Sequence, residues 1–569
     1  MKTNCLILQQ VFFRITSIAL PFILLFPFLV AKGEGPTNTP SKDVSVTGAP
    51  VKVPVAVASW MDDELNKASR KTLLSKDDFF TKDTARVVGY IAGYGTDLGF
   101  ANVLLNATND LTNEARPLVS SIDSIGRFTC SIPMNHPSMV TISFGEKFMP
   151  IYLEPGQTLA MSFGWKDCVR TNCFRDVKEV DRVLLLQGPL ARLNYELKEF
   201  QLKTMGYRHY WIKDRYSPEE YLSAMDSIFD ENNARVKEAL ASGKYLEKTI
   251  EIRNNEALMA NGHYLLDYAS QRDTKGITLP RGFYHSLEQL PLNDPSCIVS
   301  SSFKMFINRF ELNPVVLKAH RVEYGESPRS KKYLEEWIRK DSLLKSDFNL
   351  SNNFCYEVTK IRKLSSELEF MQKREAYDYF YALQAGIKHP FLKQEGFRIL
   401  ASLFGNDNLG DKNTDGGFSL PENADEESRW LPRSLPEGLD ADIFSKLMAG
   451  HKGKYVFVDF WGTSCGPCRG DINSSKEMRE QCADSPDFDF VFVTCKDWSP
   501  NKKVYDDYVK EQNLKHSYFI SDDDFKSMMQ LFRFTGIPHY VFIDPDGNVL
   551  DANFIRLDFE EAIKWIQEQ

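Results

Sequence analysis

Positive charge is in short supply in this sequence. Its 569 residues carry 69 Lys and Arg against 78 Asp and Glu, a formal net charge of -9, and the pI is near 5.7. That balance argues against a nucleic-acid surface, and no nucleic-acid partner is expected. Histidine and cysteine are also sparse, at 9 and 10. Outside one Cys-x-x-Cys pair no His/Cys grouping has zinc spacing, so neither a metal nor an organic cofactor is expected. No helical repeat of fixed period is present, which leaves a tetratricopeptide-like array without support. Only one long apolar run occurs, Ile15 to Ala31.

That run follows Lys2 and Arg14, is interrupted by Pro21 and Pro27, and ends in Ala31-Lys32-Gly33, small residues where a signal peptidase reads. Residues 1-33 are therefore expected to be a signal peptide and the chain to be exported. The run falls at the short edge of a membrane span, so a retained anchor, and with it membrane association through the N-terminal segment, stays open as the other reading. Cys5 precedes the run and is not placed as a lipoprotein cysteine.

The rest is ordinary globular material, 43% hydrophobic and 26% charged, long enough for about three or four domains. Residues 34-84 read as a linker and lead-in, Gly-, Pro-, Thr- and Val-rich at first. Between 85 and 165 short apolar runs alternate with turn signals, from Val87 to Tyr94 through to Thr158 to Phe163. This pattern predicts an antiparallel β-sandwich. Between 177 and 404 the period changes to 3.6 and predicts an all-α domain. Ser217-Pro218-Glu219-Glu220 is a capping box ahead of the apolar stripe Tyr221, Leu222, Met225, Ile228 and Phe229. Tyr207-Arg208-His209-Tyr210-Trp211 reads as packing aromatics, with a ligand surface as the other reading. Residues 405-440, rich in Asn, Asp, Gly, Pro and Glu around Trp430, form a linker that would let the last domain, 441-569, swing.

The chemistry lies in that last domain. Tyr455 to Phe460 reads as a buried strand, and the turn behind it delivers Cys465 and Cys468 to the start of a helix. Two intervening residues bring both sulfurs within disulfide reach on the first helical turn, and Gly466-Pro467 presets the backbone. Unpaired helix amides and the helix dipole favour the thiolate of Cys465, the expected nucleophile. Cys468, one turn deeper, is the expected resolving thiol.

Phe460-Trp461, Cys465-Gly466-Pro467-Cys468, Thr535-Gly536-Ile537-Pro538 and Val541-Phe542-Ile543-Asp544-Pro545-Asp546-Gly547 resemble the thioredoxin superfamily, in its TlpA-like thiol-disulfide oxidoreductase branch. The cysteine pair and the Ile-Pro stand about 70 residues apart, the distance an intervening βαβ unit requires. Asp123-Ser124-Ile125-Gly126 and Leu153-Glu154-Pro155-Gly156 are similar to turns of the small β domain found ahead of the redox module in Bacteroidetes members of that branch. The resemblance implies an α/β thioredoxin-like fold, protein thiol and disulfide substrates, a membrane electron donor and a periplasmic location. It also implies a substrate-binding rim of Trp461, Gly466, Pro467, Ile537 and Pro538. Pro538 on its own is an ordinary strand-start proline; the resemblance makes it cis, beside the cysteines, with the Ile537 backbone pairing to a substrate strand. Asp459 matches the family's buried acid, which with a raised pKa would hold a proton and hand it over to the buried Cys468 during resolution; by itself it is a strand carboxylate reaching water or a hydrogen bond.

Some positions depart from the family. Ser464 stands where many relatives have tryptophan, and Asn473 where they have a proline, so the helix from Cys465 to Gln481 should lack its kink. Asp471 stands near the position of a glutamate. His539 either meets a thiolate or is an exposed polar residue. Cys168 and Cys173 are either a disulfide or small buried residues, and Cys130, Cys297, Cys355, Cys482 and Cys495 read as structural. Gly466-Pro467 is the dipeptide of reducing thioredoxins, so an exported protein-disulfide reductase is expected. The alternative is a scaffold whose thioredoxin-like domain only binds partners.

Overall fold

The computed structural model describes residues 51–171, 183–317, 329–368, 371, 373–404, 432–482, 485–554 and 559–568. The expected signal peptide, Cys173 and Trp430 lie outside the described residues.

Alternating burial from Asp83 onward produces strands β1 (Asp83–Ala92), β2 (Asn102–Thr108), β3 (Ala115–Ser121), β4 (Arg127–Met134), β5 (Ser138–Phe144), β6 (Lys147–Leu153), β7 (Thr158–Gly164) and β8 (Leu184–Gln187). They form two four-stranded sheets, of order β4-β1-β7-β8 and β3-β2-β5-β6. Val87, Phe128 and Met161 of the first sheet and Val103, Ile142 and Ile151 of the second share one core. Within it the Phe144 ring meets Phe128 at 5.5 Å and Phe163 at 5.0 Å, both edge-on. The expectation of a purely antiparallel set needs correcting, because β1 and β7 run parallel. The chain visits the second sheet between them, a connection long enough to return in the same direction. Strand β3 contains Pro117 and lies at a sheet edge, where a missing amide is tolerated.

Two boundaries also shift. Helix Val55–Asn66 lies inside the segment read as a linker, and its Val57 and Met61, one turn apart, pack against Val88, Tyr90 and Ala160. Strand β8, expected within the helical region, instead extends the first sheet beside β7.

Helices then dominate from Ala191 to Phe404. The capping box forms as the sequence indicates. Ser217 Oγ accepts from Glu220 N, and Glu220 Oε2 accepts from Ser217 N at 2.8 Å. Helix Pro218–Ser242 ends on Gly243 at φ +61°, a conformation that costs glycine little. Tyr221 stacks on Tyr268 of helix Glu247–Thr274 at 4.0 Å in the core. The packing reading of the 207–211 aromatics fails for Tyr207, Tyr210 and Trp211, which are exposed; His209 is buried.

The last domain carries β9 (Tyr455–Phe460), β10 (Phe488–Thr494), β11 (His516–Phe519), β12 (His539–Ile543) and β13 (Val549–Asp551), in the order β11-β10-β9-β12-β13. Strands β9, β10 and β11 are parallel, while β12 pairs antiparallel with β9 and β13 antiparallel with β12. β9 is central and buried from Val456 to Phe460, as a strand apolar on both faces except at Asp459 requires. Arg433, in the expected linker, exchanges two backbone hydrogen bonds with Val549 at 2.9 and 2.8 Å.

The domain is docked on the first sheets rather than left to swing. Val119 N of edge strand β3 donates to Gln530 Oε1 at 2.6 Å, Ala101 N donates to Asp523 Oδ2 at 2.9 Å, and Leu104 joins the apolar cluster of Phe444 and Phe532.

Candidate redox site

Strand β9 ends at Phe460, and the next residues turn the chain sharply. A Cβ on Gly462 would stand 2.5 Å from Trp498 O, so only glycine fits there. Trp498 O also accepts from Ser464 N at 3.2 Å and from Ser464 Oγ at 2.7 Å, while Thr463 N donates to Ser499 Oγ at 3.0 Å. Ser464 thus braces the turn on the loop after β10. Beyond it, Cys465 is the N-cap of helix Gly466–Ser474, with Pro467 in the first turn.

Cys465 and Cys468 are joined in a disulfide with their Cα atoms 5.3 Å apart. Cys465 is half-buried, Cys468 wholly so, and Cys465 Sγ accepts from Cys468 N at 3.1 Å. Gly466 and Pro467 are exposed at the rim. The Ile537-Pro538 peptide is cis, and Ile537 O stands 3.8 Å from Cys465 Sγ. These residues come together as the sequence suggested. Trp461 does not: it is fully buried, stacked on Tyr505 at 5.9 Å and tilted on Tyr508 at 5.5 Å. A substrate cannot touch it, and its part is to support the turn from behind. Burial of the whole run from Val456 to Trp461 withdraws it from the rim.

On strand β9, Asp459 is 7% exposed and lies opposite Tyr540 in the β9–β12 ladder. A small cavity there is lined by Asp459, Asp471, Ser475, Arg479 and Tyr540 among others. Tyr540 Oη donates to Asp471 Oδ2 at 2.8 Å. Arg479 is buried too; desolvation lowers its pKa, and the Asp459 carboxylate opposes that shift. Sequence reading missed Arg479 and Tyr540, which have no motif to mark them.

The unkinked helix expected from Asn473 is not observed. Helix Gly466–Ser474 stops, and Lys476–Gln481 begins after Ser475. Ser475 Oγ donates back to Asp471 O at 2.8 Å, a side-chain bond that bends helices, and Arg479 fills the freed Ile472 carbonyl at 2.9 Å.

His539 meets neither expectation. It is partly buried, stacked on Phe534 at 4.2 Å, and desolvation pushes its pKa down to about 3, so it is a neutral packing ring. Cys130, Cys297, Cys355 and Cys495 are buried, and burial pushes the Cys130 thiol up to about 12. Cys168 is buried and disulfide-bonded. One grouping of metal-ligating type lies among the described residues, His451, Asp489 and His516. Asp489 already takes hydrogen bonds from His451 Nδ1 at 2.7 Å and Lys454 Nζ at 3.0 Å, so the network closes without an ion.

Residues 453–549 match the family model for thioredoxin-like domains, the class that the sheet order, the cis proline and the cysteine pair define. Among curated proteins, the thiol-disulfide oxidoreductase ResA of Bacillus cereus is 25% identical over 139 residues, covering 24% of this chain and 77% of the relative. ResA of Bacillus anthracis is 24% identical over the same length. A solved structure from Bacteroides vulgatus, described as a candidate thiol-disulfide oxidoreductase, is 33% identical, covers 21% of this chain and 76% of that one, and has a TM-score of 0.19. A thiol:disulfide interchange protein from a Bacteroides species is 20% identical over 24% of this chain and 91% of that one, with a TM-score of 0.20. The C-terminal part of this chain is a thioredoxin-like domain with thiol-disulfide oxidoreductases among its homologues.

Proposed function

We propose that the chain is an exported thiol-disulfide oxidoreductase that reduces protein disulfides in the periplasm. The observation that carries this reading is the asymmetry of the pair: Cys465 is half-buried with an amide directed at its sulfur, and Cys468 is fully buried behind it. In the reduced enzyme the Cys465 thiolate, favoured by the helix N-terminus, attacks a substrate disulfide. A mixed disulfide forms and one substrate sulfur leaves as thiolate. Cys468, losing its proton to Asp459, then attacks Cys465 Sγ, expelling the second substrate sulfur and closing the Cys465–Cys468 bond. Two electrons have passed to the substrate, and a membrane electron donor restores the dithiol. Resolution needs Cys468 as the thiolate, so the proton runs from Cys468 to Asp459, the reverse of the transfer expected from the sequence.

The substrate strand adds to the Ile537 backbone beside Cys465, with Pro538, Gly466 and Pro467 completing the rim. The cationic start and apolar run at Ile15 to Ala31 support export. The two N-terminal sheets are read as a sandwich that holds the redox domain at a set position.

The test is capture. A Cys468→Ala variant, reduced and offered a protein disulfide, should accumulate a mixed disulfide on Cys465 that the native protein resolves. A Cys465→Ala variant should form none. A Cys465→Ala, Cys468→Ala double variant with full biological activity would overturn the catalytic reading in favour of a scaffold.

A further inference from the structure

Helix Gly206–Ile212 presents its aromatics in the direction opposite to the core. His209 and Ile212 point inward at 0% and 7% exposure, while Tyr207, Tyr210 and Trp211 are 68%, 55% and 66% exposed. Positions 207, 210 and 211 are spaced i, i+3, i+4, so the three rings share one helix face. Scattered exposed apolar residues need no explanation, but three large rings side by side mark a contact surface.

Cations accompany them. Lys213 Nζ lies 5.0 Å from the Tyr210 ring centre and the Arg215 guanidinium 5.9 Å from that of Trp211. Arg208, on the same helix, is exposed. Asp214, the acid within this stretch, is neutralised by an ion pair with Lys275. The result is a basic aromatic face on a protein of net charge -9.

We propose that this face docks the protein flat on the surface of an anionic phospholipid bilayer. Tyr and Trp carry an apolar body and a polar tip that suit the headgroup level, and Lys and Arg keep their charge among phosphates while their stems cover apolar surface. Each basic side chain near such a surface adds to the attraction, and the molecule's overall negative charge repels the membrane elsewhere, so charge complementarity selects this face. The short helix lies in the interface plane rather than across it. The proposal stands apart from the redox reading.

The chain from Glu34 onward, without the expected signal peptide, is sedimented with vesicles of phosphatidylglycerol and phosphatidylcholine, and with phosphatidylcholine alone. Preferential binding to the anionic vesicles, reduced by salt, is expected. Tyr207→Ser, Tyr210→Ser, Trp211→Ser in one chain should lower the bound fraction at least fivefold, as should Arg208→Glu, Lys213→Glu, Arg215→Glu in another. All six side chains are wholly or partly exposed, so both variants should keep the native Tm, which is checked alongside. No binding to anionic vesicles, or binding undiminished in the folded variants, overturns the proposal. Binding to a polysaccharide but not to vesicles also overturns it and reassigns the face to sugars.

Discussion

Asp459 stood out in the sequence because it lies six positions before Cys465 on a strand otherwise apolar. Its partners were not. Arg479 and Tyr540 reach the same cavity from a broken helix and from the neighbouring strand, and neither carries a local pattern. Trp461 shows the reverse limit, since a motif position says nothing about which way a ring faces, and this one faces inward. The arrangement around Asp459 makes its role separable from that of the cysteines. An Asp459→Asn variant should form the mixed disulfide on Cys465 at the native rate but resolve it about 100-fold more slowly at pH 7, the size of a lost general base. Stopped-flow measurement of the two steps separates them, and equal slowing of both would remove Asp459 from the proton path.

Elements with a strong period were read well, and those whose character is set by neighbours were not. Strand β9 matches its expected span from Tyr455 to Phe460, whereas β11 (His516–Phe519) has no buried residue to produce an alternation and went unseen. The break at Ser475 likewise depends on a side chain bonding its own helix, which periodicity does not report. On helix Glu247–Thr274 the same dependence on neighbours has an energetic consequence. Burial pushes the Asp267 carboxyl up, but the hydrogen bond from His209 and the charge of Arg309 outweigh it and hold the pKa at about 2, below its ordinary 3.8. A depressed acid stabilises the fold above its unfolded pKa, and that contribution disappears as pH falls from about 4 to 2. Asp267→Asn should therefore cost about 2 kcal/mol at pH 7 and remove that part of the acid-induced loss. Urea midpoints of the two proteins should converge as pH falls through this window, and a constant gap would show that the contribution is not electrostatic.

At the scale of the whole molecule, the sequence suggested a redox domain on a tether, because residues 405–440 have the composition of a linker. Contacts between Val119 and Gln530, or Ala101 and Asp523, join residues some four hundred positions apart and leave no trace in either segment. Docking solves a local problem, since β3 is a sheet edge whose free amides would otherwise invite another strand, and helix Asp522–Leu531 covers it. It also reaches the site. Lys496 pairs with Glu146 of the β5–β6 turn at 3.5 Å, and the loop it begins contains Trp498, whose carbonyl holds Ser464 beside Cys465. That exposed ion pair contributes little by itself. Gln530 contributes more, because it accepts from Val119 N and donates to Asp440 Oδ2 at 2.6 Å, linking β3 to helix Leu439–Met448. Gln530→Ala should cost about 1 to 2 kcal/mol of docking, the price of leaving a half-buried amide unpaired. Hydrogen exchange at Val119 should accelerate, and calorimetry should resolve the redox domain and the first sheets as separate transitions. Reduction of a small disulfide should stay at the native rate, since Cys465 and Cys468 are untouched. Unchanged exchange at Val119 would place the strength of the docking in the apolar contact of Leu104 with Phe444 and Phe532 instead.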